Sequence, residues 1–468
     1  MIFSSLLFIF IFLPSTLIIY YLSPKKFKNL VLLISSLIFY GWGEPLYILI
    51  MLFSTVFDYI NGLMIDKYRK NKHVSRAVFL LSIIVNLGIL GFFKYYGFLI
   101  NNINDLFNLS IKIKQLPLPV GISFYTFQTM SYVIDVYLEK VEVQKSIISF
   151  GTYVTMFPQL VAGPIVKYGD IDKQINNRKE SFLLLTQGIE RFIIGLSKKV
   201  LLANGIGVLW NIIKVTPLKE LSVLSSWIGI MAFTFQIYFD FSGYSDMAIG
   251  LGKMFGFDIM ENFNYPYISA SVTEFWRRWH ISLGLWFKEY VYIPLGGNRK
   301  GKLKQFRNLF VVWFLTGFWH GANWNFITWG LYFGIFICLE KEFLLKFLNN
   351  KPKFIGHIYT LIVVMIGWVL FELENTGQAL SYIKTMFGLG KVPFINSSLK
   401  YYLSTNWILI IFLIICSTPI PKKLFKKLRA RNSICISIIL SVFMLILLML
   451  CVAYLVNETY NPFLYFRF

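Results

Sequence analysis

Apolar runs of membrane-spanning length recur from one end of this chain to the other, and they limit its fold more than any other feature. They fall near residues 2–21, 29–42, 45–65, 77–100, 120–138, 181–213, 223–250, 308–322, 324–347, 355–371, 404–420 and 433–456. In hydrocarbon every backbone N–H and C=O must be satisfied within the segment, so runs of this kind are helices. About 20 residues of helix cross a core roughly 30 Å thick. The expectation is an all-α polytopic membrane protein of about 10–12 transmembrane helices, with re-entrant or interfacial helices between them. Composition agrees, since only 15% of the residues are charged against about 25% in soluble domains.

Lysine and arginine number 45 against 23 acidic residues, a net charge of +22. In a soluble chain that excess would suggest nucleic acid. Here the cations sit between the apolar runs, as the positive-inside rule expects, and no basic face with stacking aromatics stands clear of the spans. Nucleic-acid binding is therefore not expected, and membrane lipids are the surroundings. The clusters "KKFK" (25–28), "KYRKNKHVSR" (67–76) and "PKKLFKKLRAR" (421–431) are expected on the cytoplasmic side. That places the N-terminus and the tail 457–468 outside. The first run lacks a basic leader and a small-residue cleavage site, so it reads as a retained span. The four cysteines form no CxxC pair and the four histidines are scattered, so neither a disulfide framework nor a metal site is expected. With no internal repeat and no soluble segment, residues 1–468 read as a single membrane-embedded domain of a multi-pass cell-membrane protein.

Two stretches depart from simple spans. In 146–166, Pro158, Gly163 and Pro164 should break a helix, which suggests re-entry instead of crossing. In 251–307, "SVTEFWRRWHISLGLWFKEYV" reads as an amphipathic helix. Ser271 or Thr273 would cap it, Glu274 would lie in its first turn, and Trp276, Trp279, Leu283, Trp286 and Phe287 would share a face. A helix of this type lies in the membrane interface, and "GGNRKGK" ends it.

Ionisable residues within membrane segments are costly and point to function. His320, in "FLTGFWHGANW", follows Arg307 by 13 positions, roughly 20 Å if the segment is helical. It is therefore placed deep in the bilayer. It is either a histidine hydrogen-bonded to a neighbouring helix or a reacting group. His280, after "WRRW", is either a member of an interfacial aromatic belt or a second site residue. Arg277 and Arg278 either snorkel to lipid phosphates or hold an anionic donor, since guanidinium pairs well with phosphate. Asp240 and Asp246, inside an apolar run, are expected to pair with Arg or Lys of neighbouring helices.

The stretches "DFSGYSDMAIGLGKMFGF", "NFNYPYISASVTEFWRRWHISLGLWFKEYVYIPLGGNRKG", "TGFWHGANWNFITWG" and "MFPQLVAGPIVKY" together resemble the membrane-bound O-acyltransferase family, and within it the bacterial alginate O-acetyltransferase branch. They occur in order over roughly 120–335. The resemblance implies a ring of helices around a thinned centre with a funnel or tunnel. It implies a cytoplasmic acyl thioester donor such as acetyl-CoA, with no bound cofactor, and a hydroxyl acceptor. His320 matches the family's catalytic histidine and His280 its second motif histidine.

O-acyl transfer needs a base for the hydroxyl proton and donors for the tetrahedral oxyanion. Neutral imidazole suits the base, which assigns that role to His320. Asn323, three residues on, is a candidate to orient the ring or serve the oxyanion, provided the turn at Gly321 leaves the helix intact. The C-terminal "FLYFRF" resembles a pattern of acyl-exporting members. It implies that Tyr465 carries the acyl group as a phenolic ester to an extracellular lipase-like (SGNH-type) transferase that modifies a polysaccharide. The alternative for Tyr465 is an aromatic anchor at a span end. D-alanyl transfer to teichoic acid is a second reading within the family. A polysaccharide transporter or flippase is the reading from another class, although no inverted repeat is evident.

Overall fold

The computed structural model describes residues 1–114, 116–161, 163–431, 433–457 and 463–464. Among them the regular structure is helical throughout, with no strand. In chain order the helices are α1 (Phe8–Leu22), α2 (Lys28–Gly41), α3 (Ile48–Lys67) and α4 (Lys72–Phe107). Next come α5 (Ile122–Tyr137), α6 (Ile147–Thr155), α7 (Tyr168–Asn177), α8 (Phe182–Val215) and α9 (Val223–Met254). Two short helices follow, α10 (Val272–Arg278) and α11 (Ile281–Phe287). The remainder are α12 (Lys302–His320), α13 (Trp324–Leu339), α14 (Lys353–Glu372) and α15 (Thr376–Met386), then α16 (Ser397–Cys416), α17 (Ile420–Arg429) and α18 (Ile434–Asn457).

Seven of these, α3, α4, α8, α9, α14, α16 and α18, are long and apolar enough to cross a membrane. The sequence expectation of about 10–12 crossings counts every apolar run. Folded length separates some of them: α2 and α5 hold 14 and 16 residues, roughly 21–24 Å at 1.5 Å per residue, short of the roughly 30 Å core, whereas α13 continues through a π-turn and a last helical turn to Asn349 with charged residues in that second part. The 146–166 stretch breaks as its prolines require. The nine residues of α6 are followed by a single turn, Phe157–Leu160.

The described chain divides into two compact units. The first contains residues 1–192 and 244–260. A phenylalanine cluster fills part of it, with Phe8, Phe39 and Phe157 in mutual ring contact. Where α3 and α4 meet, the buried Asp58 carboxylate accepts from Ser82 Oγ at 2.6 Å and Asn86 Nδ2 at 2.8 Å. Hydrogen bonding of this kind is what a carboxylate requires in a dry interior. In the same unit α8 and α9 approach backbone to backbone, since a Cβ on Gly188 would lie 2.6 Å from the Gly250 carbonyl oxygen. Beside that contact Arg191 pairs with Asp246 at 2.6 Å.

The second unit contains residues 193–243 and 261–457. Here α8 carries a π-helical turn, Lys198–Ala203, next to the ion pair Lys199–Asp240 at 2.5 Å, both side chains buried. A Cβ on Gly243 would meet the Gly195 carbonyl at 2.8 Å. Both intramembrane aspartates therefore have the cationic partners that their sequence context demands. Small residues at the two crossings allow the close approach that membrane helices use in place of hydrophobic drive.

Candidate active site

His320 is the last residue of α12, whose 19 residues run without a break. The 13 positions from Arg307 thus amount to roughly 20 Å of helix. The neighbouring α13 folds back against α12. A Cβ on Gly330 would overlap the Trp313 carbonyl, and one on Gly317 the Phe326 carbonyl. This glycine contact sets where the end of α12 lies. Around His320, which is buried, three rings stand edge-on: Trp319 at 5.1 Å, Trp329 at 5.0 Å and Phe371 at 5.5 Å between centroids.

Gly321 ends α12 in extended backbone. Any residue adopts that conformation, but a Cβ there would strike the Phe326 ring, so space is what requires glycine. The consequence falls on Asn323. It becomes the residue before α13, with extended φ and no capping hydrogen bond from its side chain, and it is partly exposed. The turn therefore does interrupt the helix, and Asn323 does not share a helical face with His320. Asn325, two residues further on, is buried in the first turn of α13 and donates from Nδ2 to the Phe371 carbonyl at 2.9 Å.

His280 sits at a corner. The expected single amphipathic helix is instead two seven-residue helices, α10 and α11. Between them His280 adopts φ 44° and ψ 55°, the left-handed region that side chains with a Cβ rarely enter. This break separates Trp276 from Leu283, Trp286 and Phe287, so the anticipated common face does not exist. Ser271 does cap α10, accepting from the Glu274 N–H, and Glu274 lies in the first turn. A buried carboxylate from α13's far end, Glu340, accepts from the N–H groups of Val272 (2.6 Å) and Thr273 (2.8 Å). It supplies negative charge where the helix N-terminus favours it.

Asn262 holds the corner. Its backbone carbonyl accepts from Ile281 N–H at 3.0 Å. Its Oδ1 accepts from Ser282 N–H (3.1 Å) and Ser282 Oγ (2.9 Å) and lies 3.2 Å from His280 Nδ1. Two donors on that oxygen fix the amide orientation, so Nδ1 must carry the proton and donate. The neutral ring then has its basic lone pair on Nε2. Burial holds the His280 imidazolium far below its usual range, at about 3, which keeps the ring neutral at ordinary pH. Phe241 stands edge-on to it at 4.8 Å.

The two histidines share one neighbouring ring. His280 lies 6.1 Å from the Trp319 ring and His320 lies 5.1 Å from it. The arginines diverge. Arg278 is occupied by Glu274 at 2.8 Å and by the Asn264 carbonyl at 3.0 Å. Arg277 is exposed and has no ion pair among the described residues. Tyr465 lies outside the described residues. Asn262 was not singled out from sequence as a site residue, although it opens the quoted stretch "NFNYPYIS". An amide amid aromatics ahead of a histidine-bearing motif is the signal that could have found it, although Asn264 two residues on carries the same signal. Trp329 and Phe371 carry no sequence signal of their own, being aromatic residues in aromatic spans.

A helical membrane protein with two buried histidines against a shared tryptophan is thus defined by fold and site, and comparison with known proteins places it. The pattern of the membrane-bound O-acyltransferase family matches residues 138–375, and the chain belongs to that family. It is an O-acyltransferase of the cell membrane. Among its relatives, a protein named "Probable alginate O-acetylase" from Pseudomonas putida is 38% identical over 100% of both chains. A peptidoglycan O-acetyltransferase from Helicobacter pylori is 35% identical over 85% of this chain and 82% of its own. A teichoic acid D-alanyltransferase from Streptococcus thermophilus is 27% identical over 54% of this chain and 68% of its own.

Proposed function

We propose that this protein moves an acetyl group from a cytoplasmic thioester, acetyl-CoA, across the membrane for O-acetylation of an extracellular polysaccharide, with His320 as general base. The observation that carries the reading is the pairing of two buried histidines around Trp319. His320 stands at the end of a continuous helix, roughly 20 Å beyond the last cation of its basic start. In the reaction a hydroxyl oxygen attacks the thioester carbonyl while His320 accepts the hydroxyl proton. The carbon–sulfur bond then breaks, and the departing thiolate takes that proton. His280, neutral and held by Asn262, works beside it as the second site histidine. Arg277, exposed and without an ion pair, suits the phosphates of the donor. Asn323, at the head of α13, is left as a candidate for the oxyanion.

The first acceptor in this scheme is the phenol of Tyr465. In its ester the phenolate is a good leaving group, so a lipase-like (SGNH-type) partner outside the cell can take the acetyl group for onward transfer to the polysaccharide while the tyrosine phenol is regenerated. Similarity over the whole chain to an alginate O-acetylase and over 85% of it to a peptidoglycan O-acetyltransferase favours acetyl over D-alanyl transfer, for which the similarity spans about half of the chain. The test incubates membranes containing the protein with labelled acetyl-CoA or with a D-alanyl-loaded carrier protein. Mass spectrometry of the C-terminal peptide follows. An acetyl adduct on Tyr465 that His320→Ala abolishes is the expected result. Its absence in the wild-type protein with no partner present would make Tyr465 an anchor, and label from the D-alanyl carrier alone would replace the acetyl reading.

A further inference from the structure

Two buried polar atoms near His320, on Asn325 that bonds the Phe371 carbonyl and on Trp329 that the His320 ring contacts, have no hydrogen-bond partner among the described residues: Asn325 Oδ1 and Trp329 Nε1. Their residues are 2% and 1% exposed. Buried polar atoms in native proteins are overwhelmingly paired, so each orphan requires an explanation. The Asn325 amide cannot resolve its own case by flipping. Its Nδ2 donates to the Phe371 carbonyl, and the reverse orientation would set two oxygens against each other. Oδ1 is therefore an acceptor fixed in place. Trp329 is equally fixed, edge-on to His320 and in contact with Phe371 at 5.2 Å.

The two residues are four apart on α13. They share a face one turn apart, with about 5–6 Å between Cβ atoms. One is an acceptor without a donor and the other a donor without an acceptor. A single trans secondary amide is complementary to both, because its N–H and C=O point in opposite directions, the one towards an acceptor and the other towards a donor. Resting on the functional reading above, we propose that Asn325 and Trp329 form a clamp for a secondary amide in the pantetheine arm of the acyl thioester. The amide N–H donates to Asn325 Oδ1, and its carbonyl accepts from Trp329 Nε1. This fixes the thioester relative to His320, whose ring touches Trp329.

Two short donors test the clamp: S-acetyl-N-acetylcysteamine, which carries one such amide, and its ester analogue with oxygen in place of N–H. The readout is the thiol release that His320→Ala eliminates, measured with full-length protein in membranes. The wild-type protein should prefer the amide donor by about tenfold, the worth of one hydrogen bond. Asn325→Leu should cut that preference to near unity by raising KM for the amide donor alone. Trp329→Phe keeps an aromatic ring but loses the N–H with the five-membered part of the indole, so it should weaken both donors alike, since each retains the carbonyl, while acetyl-CoA protection of Asn325→Leu against heating matches wild type at saturation. Equal use of the two donors by the wild-type protein would overturn the clamp. So would failure of both donors where acetyl-CoA is used, or an equal fall with both donors in Asn325→Leu. No transfer from acetyl-CoA itself would remove the functional reading beneath it.

Discussion

The corner that holds His280 and the helix end that holds His320 place two similar rings by opposite means. His280 is fixed by hydrogen bonds and by a left-handed backbone, with Asn262 collecting the donors. His320 is fixed by shape: glycines let α12 and α13 touch, and three rings close around the imidazole. Hydrogen bonds set both the tautomer and the direction of a ring. Aromatic walls set the ring's position and exclude water from around it. The difference suits one histidine as a fixed element and the other as the group that gains and loses a proton.

The largest break in this comparison comes from His320→Ala. It should lower acyl transfer by about 10²–10⁴-fold, the usual worth of a general base, while the protein still inserts and purifies with its thermal midpoint little changed. Transfer from labelled acetyl-CoA, measured beside a melting curve in detergent, checks both halves. Full activity would assign the base elsewhere. Next in size is the loss of shape. Gly330→Val puts a branched side chain where even one Cβ meets the Trp313 carbonyl. Overpacking of this kind costs about 1–3 kcal/mol, so the melting point and the activity should fall together. Gly284, whose Cβ would meet nothing within 4 Å, is the control, and Gly284→Ala should leave both unchanged.

On the hydrogen-bonded side, Asn262→Ala removes the acceptor shared by His280 and Ser282. About 1–2 kcal/mol of stability should go with it. The loss at His280 is one of orientation, so kcat should fall while KM for the donor stays within about twofold. Asn262→Asp keeps an acceptor at the same place and should recover most of the rate. A fall in KM and kcat alike, with no recovery by the aspartate, would make Asn262 a purely architectural residue.

How much of this was open to reading in the sequence differs between the two corners. The long spans follow from hydropathy, because bilayer thickness imposes their length, the break within 146–166 follows from its prolines, and the place of His320 at the end of an unbroken helix follows from its spacing to the basic start. The cationic partners of Asp240 and Asp246 were demanded by chemistry, though not their identity, since Lys199 and Arg191 sit on another helix about 40 and 55 residues away. The turn at His280 was hidden. Its residues keep a helical three- and four-residue rhythm, and only the long-range bonds from Asn262 make the left-handed break favourable. The Gly321 turn was visible as a glycine, but whether it ended the helix depended on the Phe326 ring folding back beneath it.

The smallest effect is in the pH dependence, and it separates the histidines most directly. His280 in the folded protein takes up a proton only near pH 3, against about 6.5 when unfolded. Its folded value is depressed, so the unfolded state binds the extra proton between those limits. Stability is then level above about pH 6.5 and falls as pH drops towards 3, by at most about 1.4 kcal/mol per unit from this group. His280→Gln, which retains an amide N–H for Asn262, should flatten part of that slope and leave the neutral region alone. Melting points of the two proteins between pH 7.5 and 4.5 give the comparison. Over the same range His280 stays neutral and takes up no proton, so any acid limb in the rate must come from another group. An acid limb that disappears in His280→Gln would mean that the corner opens to solvent during turnover and that hydrogen bonding holds His280 no more rigidly than the aromatic walls hold His320.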